Sequence, residues 1–99
     1  MAKIPKKLQP ALWSIDVSKL DPRKDKVYII HQIFSYGRLE DIIWLYKTYP
    51  KNELYNVFLK HPYKDYKKPR YNFVKNYLLD INDSLDMRRY VKNTPRILR

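Results

Sequence analysis

The chain has 99 residues, 44% of them hydrophobic and 15% aromatic, with no cysteine and a formal net charge of +11. This is enough for one domain with a modest core. It excludes disulfides, zinc-thiolate sites and thiol chemistry, and the absence of any apolar run near ~18 residues excludes a membrane span. The basic start MAKIPKKL has no apolar stretch behind it and is read as the mature start of a cytoplasmic protein.

Residues 8–20, LQPALWSIDVSKL, have irregular apolar spacing. They predict a helical turn near 10–13 and then an extended segment lying on the domain. Asp21 followed by Pro22 is the pattern of an N-cap and a first-turn proline, which opens a helix over about 22–36. Its apolar face is Val27, Ile30 and Phe34, with Ile29 and Ile33 beside them. Gly37, the only glycine, is expected to end that helix in left-handed geometry. Leu39, Ile42, Ile43 and Tyr46 repeat at helical spacing in a second helix that Pro50 closes. A third, about 51–60, turns Leu54, Val57 and Phe58 inward. Pro62 and Pro69 bracket a connection that is not helical throughout. A fourth helix, about 69–81, places Val74, Tyr77, Leu78 and Ile81 on one face, and Asn82 or Asp83 caps a last short helix over about 83–92. The expected fold is all-α, a single compact bundle of four to five helices with a helix-turn-helix-like centre. The domain spans 1–81 (core about 8–81), and 82–99 form a short helix and basic tail.

Charge is unevenly placed. Residues 8–59 are nearly neutral, whereas 60–76 hold six bases and one acid, and 88–99 hold five bases and no acid. Such segments suit an acidic partner. Lys60, Lys64, Lys67, Lys68, Arg70 and Lys75 are candidate phosphate contacts. Tyr63, Tyr66 and Tyr71 are candidates for hydroxyl bonds to phosphate or for stacking on bases. In the third helix Lys51, Asn52 and Asn56 are residue types able to reach bases or phosphates, and Arg88, Arg89 and Lys92 extend the basic surface. The competing reading is a solvated linker joined to an ordinary bundle.

Nothing in the chain points to catalysis or to a cofactor. Glu40 and Asp41 are adjacent, so they diverge on a helix, and the helix dipole accounts for acids in a first turn. His31 and His61 have no ligand cluster around them and imply no metal, and His31 reads as a partly buried packing residue. A single glycine cannot build a phosphate-cradling loop. Trp13 and Trp44 read as core anchors.

The stretches LQPALWSIDVSKLD, YIIHQIFSYGRLEDIIWLYKTYPKNELYNVFLK and YNFVKNYL resemble a small helical family of unknown function, often encoded beside abortive-infection-type nucleotidyltransferase toxins. The resemblance covers about residues 8–81 and rests on Trp13, Asp16, Leu20, Asp21, Tyr36, Gly37, Leu39, Glu40, Trp44, Leu45, Asn72 and Phe73. It implies an antitoxin-like role with autoregulatory DNA binding, and carries over no catalytic residue. The combined expectation is a non-catalytic nucleic-acid-binding protein, DNA favoured over RNA, in a toxin–antitoxin or phage-defence setting. The alternatives are a protein-interaction module that neutralises an acidic partner of nucleotidyltransferase type, and an RNA-binding accessory protein.

Overall fold

A computed structural model describes residues 4–64, 66–81 and 85–91. Four α-helices follow in chain order: α1 Lys26–Tyr36, α2 Leu39–Thr48, α3 Lys51–Lys60 and α4 Lys68–Phe73, the last running on into a π-helical turn Val74–Leu78. Short 3-10 turns cover Lys6–Leu8, Val17–Lys19 and Met87–Arg89. The all-α single bundle is the architecture observed. Among the described residues there is no strand, only one parallel bridge between Tyr66 and Val91.

The centre of the molecule is α1. Every residue from Ile29 to Ser35 is buried, so the helix is enclosed on all sides rather than along one face. Its start falls later than the cap pattern implies. Asp21 does cap, taking N–H bonds from Arg23 (2.7 Å) and Lys24 (3.1 Å), and its own N–H donates to Asp25 Oδ2 at 2.9 Å. That closes a separate turn over 22–25, and the α-helix begins only at Lys26. Ahead of it, Gln9 holds the opening segment together. Its amide donates to Leu12 O and Ile15 O, both at 2.9 Å, and accepts from Val17 N–H at 3.0 Å. Leu8, Leu12 and Val17 are thereby pressed into the core. Trp13, expected there, is 61% exposed and meets the edge of Tyr36. Trp44 is half-buried, edge-on to Tyr49.

Gly37 ends α1 in extended backbone, with φ −71° and ψ 156°, and not in left-handed geometry. Glycine is required there by crowding. A Cβ would stand 2.6 Å from Ile33 O and 2.7 Å from Ile33 Cγ2. Two residues later, at Leu39, α2 starts, and the Asp41 carboxylate reaches back to the N–H of the N-cap Arg38 at 2.9 Å, satisfying one orphan donor at the helix start. Asp41 is buried with Ile42 and Leu45, whereas Leu39 is 70% exposed and Ile43 46% exposed. The core-facing side of α2 is therefore rotated from the expected one. Only Tyr49 and Pro50 separate α2 from α3. The Tyr49 hydroxyl donates to Pro22 O at 2.7 Å, and burial pushes it up to about 12.

The C-terminal segment enters the same core. Tyr90 is 1% exposed, stacks on Phe58 with ring centroids 4.7 Å apart, and donates to Phe58 O at 2.6 Å. The expected domain boundary at residue 81 thus falls inside one packed unit. Within 85–91 the helical content is the single turn Met87–Arg89, in place of a helix over 83–92, and the proposed caps Asn82 and Asp83 lie outside the described residues. The fourth helix is shorter than expected, and Tyr77 on it is 78% exposed instead of inward.

Candidate nucleic-acid interface

The basic connection between α3 and α4 is anchored from beneath by α1. His31 is fully buried. Its Nε2 lies 2.6 Å from His61 O, and its Nδ1 lies 2.7 Å from the Tyr66 hydroxyl. A carbonyl only accepts, so Nε2 carries the proton and Nδ1 accepts from Tyr66. The ring also stacks on Tyr63, with centroids 5.2 Å apart. Burial lowers the His31 pKa to about 4, against the smaller opposing effect of its carbonyl bonds, and so keeps the ring neutral at pH 7. The sequence reading of His31 as a partly buried packing residue missed this role: it binds both ends of the segment 61–66.

This anchoring sorts the candidate contacts. Lys60, Lys64, Lys67 and Lys68 are exposed. Tyr66 is 0% and Tyr71 3% exposed, so neither ring is available to stack on a base or to reach a phosphate. Both pack with Phe58 and Tyr90 in an aromatic cluster. Tyr63 is half-buried against His31. Arg70 is also taken out of the candidate surface. Its guanidinium donates to Phe34 O at 2.7 Å and Gly37 O at 3.1 Å, placing a cation where the last carbonyls of α1 need donors. Lys75 is half-buried, with Nζ 3.2 Å from Ile81 O, so its charge is partly engaged within its own turn.

The second basic segment lies beside the first. Tyr66 N–H donates to Tyr90 O at 2.9 Å, and the Tyr66–Val91 bridge aligns residues on either side of the two strands of chain. Lys64, Lys67 and Lys68 therefore flank the stretch that carries Arg88 and Arg89, both exposed. Arg88 is held by Asp86, Nε to Oδ1 at 3.0 Å, a contact that lowers the Asp86 pKa. Arg89 forms no ion pair among the described residues. Lys92 lies outside the described residues.

The α3 candidates sit apart from this cluster in chain order. Lys51, Asn52 and Asn56 are exposed and, with Tyr55, Leu79 and Asp80, line an open depression of about 470 Å³. Among the described residues no group of three His, Asp or Glu side chains is arranged to hold a metal ion, and no helix is long and apolar enough to cross a membrane.

No curated protein and no solved structure matches the chain. Residues 8–58 match the model of a family described as "Family of unknown function (DUF6922)". The match ends before the basic connection, so it takes in α1, α2 and most of α3 and leaves out the segments that carry the excess charge. It spans just over half of the chain, which therefore belongs to this family of unknown function.

Proposed function

We propose that the protein binds nucleic acid, without catalysis, through the phosphates. The observation that carries this reading is the bridge between Tyr66 and Val91, which gathers two basic segments separated by the acidic stretch 77–87. Lys64, Lys67 and Lys68 are exposed on or beside the segment that His31 holds at His61 O and the Tyr66 hydroxyl, and the bridge brings the stretch carrying exposed Arg89 alongside. Cations carried on an anchored backbone forfeit less backbone entropy on binding than cations on a free linker. A labelled 20-base-pair DNA duplex and a single strand of the same length, titrated at low salt and followed by fluorescence anisotropy, test it. Binding of either supports the reading, and failure of both to bind at 20 mM salt ends it.

A second reading is favoured by a different observation. Leu39 and Ile43 on α2, and Phe73 and Tyr77 on α4 and its π turn, expose two apolar pairs at helical spacing. The Tyr46 hydroxyl donates to Leu78 O, so the two elements adjoin. Exposed apolar pairs of this kind suit a protein partner, and the antitoxin-like role implied by the family resemblance supplies its class, a nucleotidyltransferase toxin. Co-expression with such a neighbouring gene product should relieve its toxicity, and Ile43→Glu with Tyr77→Glu should restore it. Unrelieved toxicity at matched expression removes this reading.

A further inference from the structure

The depression beside α3 has a chemistry different from that of the lysine cluster. Lys51, Asn52, Asn56 and Asp80 all line it, and none of their side chains makes a hydrogen bond or ion pair among the described residues. Asn52 and Asn56 are one helical turn apart, so their amides lie on one face of α3. Asp80 stands in the turn that closes the fourth helical element. There Ile81 N–H donates back to Lys75 O at 2.8 Å and Leu79 N–H to Val74 O at 2.9 Å. Between them Asp80 has φ 51°, the one non-glycine residue with positive φ among those described. Glycine is the residue such a closing position favours. The chain carries instead a carboxylate, facing a groove bordered by two amides, one ammonium, an aromatic ring and a leucine.

A cation-only rail would serve phosphate contacts better, because a carboxylate repels them. An ionised carboxylate accepts two parallel N–H bonds from a ligand with adjacent donors. Among the standard nucleobases only guanine offers two, N1–H and N2–H₂, side by side. Adenine and cytosine present one amino group next to an acceptor, and uracil and thymine present a single N–H. The amides of Asn52 and Asn56 can donate to guanine O6 and N7, Lys51 can meet the attached phosphate, and the half-buried Tyr55 offers apolar surface to the ring. In a duplex the N1/N2 edge is occupied by cytosine.

We propose that this groove takes one unpaired guanine of a single-stranded segment, with Asp80 accepting from its N1–H and N2–H₂. This rests on the nucleic-acid reading above and adds to it a base preference and a strand preference.

The test uses the full chain and fluorescein-labelled 12-mers of oligouridylate with one central guanosine, inosine or adenosine. The guanosine oligomer should bind roughly tenfold or more tighter than the adenosine one. The inosine oligomer, which lacks the N2 amine, should fall between them. Asp80→Asn removes the charge but remains at ease with positive φ, and Asp80→Gly relieves the backbone. Both should erase the preference while leaving the urea midpoint unchanged or raised. Equal binding of the three oligomers by the parent overturns the proposal whatever the variants do, as does a preference that survives Asp80→Asn. Salt-sensitive binding without base preference would end this proposal and leave the phosphate reading standing. No binding of any oligomer or duplex at low salt would end both.

Discussion

His31 Nδ1 accepts a hydrogen bond from the Tyr66 hydroxyl, 2.7 Å away, deep between α1 and the basic connection. The two residues are 35 positions apart, and their bond, with that from His31 Nε2 to His61 O, fixes a lysine-rich segment to the central helix. Tyr66→Phe should therefore act on stability. It leaves a buried ring nitrogen without its donor, at a cost of about 1–3 kcal/mol. Urea unfolding should show that loss with the helical circular dichroism of the folded state retained. A loss of nucleic-acid binding at unchanged stability would place the hydroxyl on the ligand instead.

The same histidine sets a pH dependence. Its folded pKa of about 4 lies below the ordinary 6.5, so between those values the unfolded chain binds a proton that the native one refuses. Stability is then complete above pH 6.5 and falls as the pH drops towards 4, by about 3 kcal/mol in all. The carboxylates held below their usual 3.8 by hydrogen bonds, Asp16, Asp21 and Asp86, act mainly at lower pH. Urea unfolding at pH 7, 6, 5 and 4.5 should give this slope, and His31→Gln should flatten it from a lower starting stability. A variant with the parental slope would assign the dependence to other groups.

At Gly37 the expected effect is steric. An alanine methyl would overlap the Ile33 carbonyl, a backbone atom of α1, and crowd Asp41 Cβ at 3.2 Å. Gly37→Ala should destabilise by about 1–3 kcal/mol, the range for overpacking. With φ at −71° there is no left-handed strain to add. A thermal midpoint equal to the parent's would mean that α1 and α2 separate freely at this joint.

Arg70 joins α4 to the end of α1 by two charge-assisted bonds. Arg70→Gln should cost about 2 kcal/mol, and Arg70→Lys about half, since a point ammonium cannot span both carbonyls. Neither should alter the salt dependence of nucleic-acid binding. A flattened salt dependence in a stably folded Arg70→Gln protein would return this residue to the interface.

The boundaries of α2 and α3 were legible because Pro50 and the Leu/Ile spacing act locally. Which side of α2 is buried was legible only in part: spacing puts Leu39, Ile42, Ile43 and Tyr46 on one face, and of these Ile42 is buried, but the position of α1 turns Asp41 and Leu45 inward beside it and leaves Leu39 and Ile43 exposed. The tyrosines were misread for a related reason. Lysines interleaved with tyrosines look like one ligand surface. In the fold the two types part, with Lys64, Lys67 and Lys68 outward and Tyr66 and Tyr71 inward around Phe58. That separation depends on Tyr90 arriving from the far end of the chain, and no local pattern announces it. Gln9 and Asp80 escaped notice because their roles lie in hydrogen bonds and backbone geometry, neither of which leaves a periodic signal. Lys51, Asn52 and Asn56 were legible as exposed because Leu54, Val57 and Phe58 fix the inner face of α3.

The most direct test of phosphate binding by the anchored lysines is the salt dependence of affinity in the variant Lys60→Gln, Lys64→Gln, Lys67→Gln, Lys68→Gln. Each phosphate neutralised on a DNA duplex contributes about −0.9 to the slope of log K against log salt. With all four lysines on phosphates, the variant's slope should be shallower than the parent's by about 3 to 4 units. Its urea midpoint should be that of the parent, because all four side chains are exposed. A folded variant whose slope equals the parent's would contradict the account and make this segment a solvated linker.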